Sequence, residues 1–177
     1  MKPSPAVLIF FTACLALGAA VVRADDDDEH HERRQKRKGV SAPENATYRA
    51  ECASCHMLYP PGLLPARSWK AMMGGLKDHF GENATLDAGT ADKVTRFLVE
   101  NAADQTTFRR SQKIAKSIAA DATPLRITET NYFKRQHHEV SSKVWQRKSV
   151  GGPSNCAACH AGAEAGVFSE DEVRVPR

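Results

Sequence analysis

The chain has 177 residues, with 25 Lys and Arg against 21 Asp and Glu, a formal net charge of +4 and five Cys. This is the size of one modest domain and argues against a multidomain enzyme. Hydrophobic residues make up 41% of the chain but crowd into its first 24 positions, as do Lys2 and Arg23, so the remainder is lean for a self-sufficient core and too weakly basic to suggest a nucleic-acid partner.

Met1 to Ala24 combines a short basic start at Lys2, an apolar stretch from Ala6 to Val22 and the small-residue ending Val22-Arg23-Ala24. This predicts a secretory signal cleaved after Ala24. An uncleaved anchor and lipidation at Cys14 are the alternatives, although Phe11-Thr12-Ala13 makes a poor lipobox. No twin-Arg pair precedes the apolar stretch, so the chain is expected to be exported unfolded and to receive any cofactor outside the cytoplasm. Residues 25–44 read as a disordered charged tail: four Asp and Glu29, then His30, His31 and Glu32, then five Lys and Arg up to Lys38, with no apolar residue to bury between Asp25 and Lys38. The His30-His31 pair is either a weak chelator or simply part of a solvated tail.

From residue 45 onward the pattern predicts an all-α fold, a single compact domain over 45–177 with short helices and long loops. Helices are expected over Ala46 to Leu58, Ala66 to Phe80, Ala88 to Ala103 with Asp87 as cap, Ser111 to Ala120 and Tyr132 to Trp145, with a short one carrying the last cysteines. The four cysteines beyond Cys14 fall in two copies of one motif, Cys52-Ala53-Ser54-Cys55-His56 and Cys156-Ala157-Ala158-Cys159-His160. C-x-x-C-H is the attachment sequence for c-type haem. The two thiols add to the vinyl groups on one edge of the porphyrin, which places the adjacent His under the iron. A zinc site would normally set its Cys pairs about 15 to 20 residues apart, and neither zinc, a disulfide pair nor a redox dithiol explains a His after each pair. Two covalent haems also answer the lean composition, since each macrocycle is a large apolar surface to pack against.

A haem iron held by one His takes either a second protein ligand, as in an electron carrier, or keeps an open face for small molecules. With His56 and His160 assigned to the motifs, the candidates are His79, His137, His138, Met57, Met72 and Met73. Trp69, Met72, Met73, Leu76 and Phe80 form one apolar helical stripe, and His79 lies at its edge. It is either a distal ligand or a surface residue near the helix end, while Met72 and Met73 read as core residues. Phe133, Val140 and Val144 share a helical line with His137, and His138 is rotated about 100° away, so His137 is the second distal candidate unless the register is shifted by one. The loop Pro60-Pro61-Gly62 with Pro65 is a candidate source of a carbonyl for the proximal imidazole, or a plain helix terminator. Arg109, Arg110, Lys113 and Lys116 form a basic stretch, either a solvated face or a steered docking surface. Asn45-Ala46-Thr47 and Asn83-Ala84-Thr85 are formal glycosylation sequons.

Between Tyr48 and Arg177 the sequence resembles the small periplasmic dihaem cytochromes c called DHC-type. The resemblance rests on Glu51-Cys-Ala-Ser-Cys-His-Met57, Tyr59-Pro-Pro-Gly-Leu-Leu-Pro65, Ser68-Trp69, His79-Phe80-Gly81, Asn101-Ala-Ala103, Ile127-Thr-Glu-Thr130, His137 and Asn155-Cys-Ala-Ala-Cys-His160. It implies two covalently attached haem c groups with His on both faces, bound through Cys52, Cys55, Cys156 and Cys159, with His56, His160, His79 and His137 on the irons. It also implies electron transfer with a membrane b-type cytochrome or a small oxygen-binding haem protein. The leading expectation is a periplasmic carrier between a membrane b-type cytochrome or respiratory donor and a soluble haem protein acceptor, a monomer that acts through transient complexes without substrate turnover. The rival function is a dihaem peroxidase or small-molecule reductase with one open iron.

Overall fold

The computed structural model describes residues 39–177; the expected signal peptide and the tail up to Lys38 lie outside the described residues. Asn45 starts the first helix, α1 (Ala46–Cys52), by accepting the Tyr48 amide on its side chain at 2.8 Å, the usual role of Asn at a cap. The helix ends after the first motif cysteine, earlier than the expected Leu58, and the rest of the motif lies in a turn. After a 3-10 turn at Pro61–Leu63, α2 spans Ala66–Gly74. The predicted continuation to Phe80 does not occur: Gly74-Gly75 ends the α-helix, a 3-10 turn takes over at Leu76–Asp78, and Phe80 and Gly81 both adopt positive φ. Glycine pairs weaken helices, and a left-handed residue cannot continue one.

The third helix, α3 (Ala88–Glu100), is capped as predicted, with the Asp87 carboxylate accepting the Thr90 amide at 3.0 Å. Its inner face buries Val94, Phe97 and Leu98. α4 covers Arg109–Lys116 and buries Ser111 and Ile114. The region predicted as one helix from Tyr132 to Trp145 is two, α5 (Asn131–Gln136) and α6 (Ser142–Trp145), with His137 terminating the first. Among the described residues there are no strands, only an isolated bridge between His79 and Glu82, and no helix long and apolar enough to cross a membrane.

Two small apolar clusters hold these elements. One joins Tyr48, Leu58, Leu64, Trp69, Val94, Phe97, Leu98 and Ala102, and the Trp69 indole inside it donates to the Pro61 carbonyl at 2.7 Å. Val40, Leu63 and Ile114 make the other, with Phe168 against them. Val40 and Ser41 are buried, so the packed chain begins ahead of the boundary expected at residue 45. The Val40 amide donates to the carbonyl of Gly166, whose φ of +74° and close approach to the Val40 carbonyl leave no room for a Cβ.

Gly62 sits where three segments converge. Its amide donates to the Ser41 carbonyl, and the Ser41 amide donates to the Ser111 hydroxyl, each at 3.0 Å. A Cβ on Gly62 would fall 2.6 Å from the Ser41 nitrogen. Overpacking of this kind costs about 1–3 kcal/mol, so Gly62→Ala is expected to lower the thermal midpoint of the haem-loaded protein by roughly 3–10 °C, with its visible spectrum unchanged before melting.

Candidate haem sites

The first site gathers His56, Tyr59, His79 and Phe80. The His56 Nδ1–H donates to the Met57 carbonyl at 2.7 Å, which fixes the tautomer and leaves Nε2 free for a metal. The neighbouring residue supplies this carbonyl, not the Pro60 to Pro65 loop, whose Pro61 oxygen is committed to Trp69. The ring centroids of His56 and His79 lie 6.1 Å apart, with 35° between their planes. His79 is not presented by a helix. It sits in a tight turn in which its amide donates to the Glu82 carbonyl at 2.7 Å and its carbonyl accepts the Glu82 amide at 3.2 Å, while Asp78 accepts the Gly81 amide. Phe80, the one non-glycine among the described residues with positive φ, packs its ring against His79 and carries the Arg126 guanidinium 4.0 Å above it. Such backbone strain persists only where the surroundings hold it. Met72 lines the small cavity beside His79 and packs on the core, as the apolar stripe predicts.

The second site is an open cleft walled by Val40, Leu63, Ile114, Phe133, Trp145 and Phe168 and reached by Cys156, Cys159, His137 and His160. His137 and His160 have ring centroids 6.2 Å apart, nearly edge to face at 82°. His137 stacks on Phe133 at 4.0 Å, and its Nδ1–H donates to the Phe133 carbonyl at 2.9 Å. His138 is exposed, bonded to the Arg135 carbonyl and next to Glu139. Of the two neighbours, His137 is the one turned into the cleft.

These residues fit haem. Two imidazoles sharing one metal at about 2.0–2.1 Å put their ring centroids about 6 Å apart, and both pairs do so. Burial lowers the pKa of His79, helped by His56 and Arg126, and lowers that of His160, helped by His137 and Arg110; the neutral imidazole is the ligating form. Burial pushes the Cys52 and Cys156 thiols up to about 11, the reverse of the depressed thiolate of a redox dithiol. Among the described residues no group of three or more His, Cys, Asp or Glu converges as a metal cage. Arg110, expected on an exposed basic face, points into the second cleft. Among the described residues its buried Nε has no partner, and its one hydrogen bond is a long 3.3 Å contact to the Tyr132 hydroxyl. A half-buried guanidinium whose Nε is enclosed without a partner is an unfinished site, and a haem propionate is the group that would complete it. Arg109, Lys113 and Lys116 stay exposed on α4.

Arg110, Tyr59 and Phe168 are the contributors the sequence did not single out for these sites. Arg110 looked like one member of a charge run, and the other two reach the sites through long-range packing.

The profile of the family described as dihaem cytochrome c (DHC) matches residues 48–168. A dihaem cytochrome c structure from Rhodobacter sphaeroides is similar at 44% identity and a TM-score of 0.64, covering 73% of this chain and 99% of that one. A dihaem cytochrome c from Shewanella baltica OS155 is similar at 39% identity and a TM-score of 0.62, covering 76% of this chain and 94% of that one. A search of curated proteins gave no match. The motif spacing, the helical fold and this match across most of the chain agree: the chain belongs to the dihaem cytochrome c family and carries two covalently bound haem c groups.

Proposed function

We propose that the protein is a periplasmic electron carrier in which both irons are closed by histidine pairs, His56 with His79 and His160 with His137, and that it turns over no substrate. The observation that carries this reading is the pairing itself: each motif histidine has another imidazole at ligand-sharing distance. Bound haem supplies a one-electron ferric–ferrous couple. The Met57 and Phe133 carbonyls hold the His56 and His137 imidazoles in place, and Phe133, Trp145 and Phe168 wall the second site. Imidazole on both faces favours lower potentials than His/Met ligation. The leader directs export, and cleavage after Ala24 releases the chain as a monomer. Its partners are a membrane b-type cytochrome or another respiratory donor and a small soluble haem protein acceptor, met in brief complexes for which the exposed Arg109, Lys113 and Lys116 offer an electrostatic docking face.

Absorption and EPR spectra of the loaded protein, with carbon monoxide added after reduction, test the ligation. Two low-spin haems that ignore the gas are expected. A high-spin haem, or prompt gas binding by half the iron, overturns the closed carrier and favours peroxide or small-molecule reduction at the open site. A second expectation concerns charge. Arg110→Gln removes a cation beside the second haem and thereby favours its ferric form, so its reduction potential should fall by on the order of tens of millivolts. A potentiometric titration in which both haems keep their potentials would show that Arg110 holds no propionate.

A further inference from the structure

We infer that Tyr59 is a positioning residue that couples the two haem sites, tying the proximal ligand of the first to the attachment segment of the second. This rests on the ligation proposed above for His56. The Tyr59 ring lies 5.1 Å from the His56 ring, centroid to centroid, and tilted by 44°. Its hydroxyl donates to the Ser154 carbonyl at 2.9 Å. Ser154 stands two residues before Cys156, and its carbonyl also accepts the Cys156 amide at 3.0 Å.

One side chain therefore connects an imidazole under one iron to the thioether anchor of the other haem, across 95 residues of sequence. Tyr59 is itself held, because its carbonyl accepts the Tyr48 hydroxyl at 3.1 Å and its ring packs against both apolar clusters. The adjacent Leu58 amide donates to Glu164, four residues past His160, at 3.0 Å. The two segments are thus pinned side by side, with Tyr59 as the strut that touches both sites. Electron exchange depends on fixed separation and orientation, and a rigid link limits the excursions that would otherwise lengthen the gap. The exchange is one electron out of one site and into the other; Tyr59 keeps its proton and its oxidation state.

The test compares the loaded parent protein with Tyr59→Phe and Tyr59→Leu in the half-reduced state, where NMR line shapes of the haem methyl groups report exchange between the two singly reduced forms. Tyr59→Phe keeps the ring against His56 and loses only the bond to Ser154, so it should fold and exchange several-fold more slowly. Tyr59→Leu loses both contacts and should be slower still, with both haems remaining low-spin in each variant. A Tyr59→Phe protein that exchanges at the parent rate overturns the inference, whatever the Leu variant does. Failure of the ligation reading would show separately, as a high-spin haem in the parent spectrum.

Discussion

Replacing His137 with Ala is expected to turn one of the two haems high-spin and let the reduced protein take up carbon monoxide at half of its iron, whereas His138→Ala leaves both haems low-spin and inert to the gas. The adjacent residues differ in direction and in attachment. His137 terminates α5 with its Nδ1 on the Phe133 carbonyl and its ring facing His160, so Nε2 is the atom left to reach a metal. His138 faces solvent and bonds back to Arg135. The same result is expected at the other haem for His79→Ala. EPR of the oxidised variants and gas titration of the reduced ones read both. A high-spin haem in His138→Ala with none in His137→Ala would reverse the assignment.

The second large effect concerns the cofactor as part of the core. A protein with Cys156→Ser and Cys159→Ser should lose the mass of one haem and lose stability by more than ~3 kcal/mol, the scale reached when a single large core side chain is removed. Among the described residues the apolar cluster at the second site has just Val40, Leu63 and Ile114 as buried members, and beside it lies the open cleft lined by Phe133, Trp145 and Phe168. Its aromatic walls would face water without the macrocycle between them. Intact mass and thermal denaturation check this directly. A variant that lacks the haem yet melts with the parent would show that protein contacts alone hold that half together.

The haem attachment points were legible in the sequence because covalent chemistry fixes their spacing whatever the fold does around them. His79 and His137 stand out in the sequence as candidates, and the structure sets each ring opposite a motif histidine, but their geometry was not legible. Periodicity placed both on continuous helices, whereas Gly74-Gly75 breaks one helix before His79, and the other ends at His137. Both rings reach their partners from helix ends and turns, which a periodic pattern cannot describe. The caps at Asn45 and Asp87 are local bonds between a side chain and an amide three residues on, and such short-range chemistry reads directly from sequence. The inward turn of Arg110, the burial of Val40 against Gly166 and the reach of Tyr59 to Ser154 depend on segments far apart in the chain, so no local pattern records them. The early end of α1 belongs with these, since the segment after Cys52 is shaped by its surroundings.

The imidazole pairs also bear on how the chain finds its fold. His56 and His79 are 23 positions apart, and so are His137 and His160, so each pair closes a loop of equal and modest length. Loop-closure entropy rises only slowly with length, and short closures form quickly. The contacts that bring the two halves together, Val40 to Gly166, Leu58 to Glu164 and Tyr59 to Ser154, span about a hundred residues each. Closing each imidazole pair is thus a local event, in mirrored order along the chain: attachment motif before partner histidine in the first, partner histidine before motif in the second. The walls of the second cleft are different, because Val40 and Leu63 come from the far end of the chain, so that site is complete only when the long-range contacts have formed.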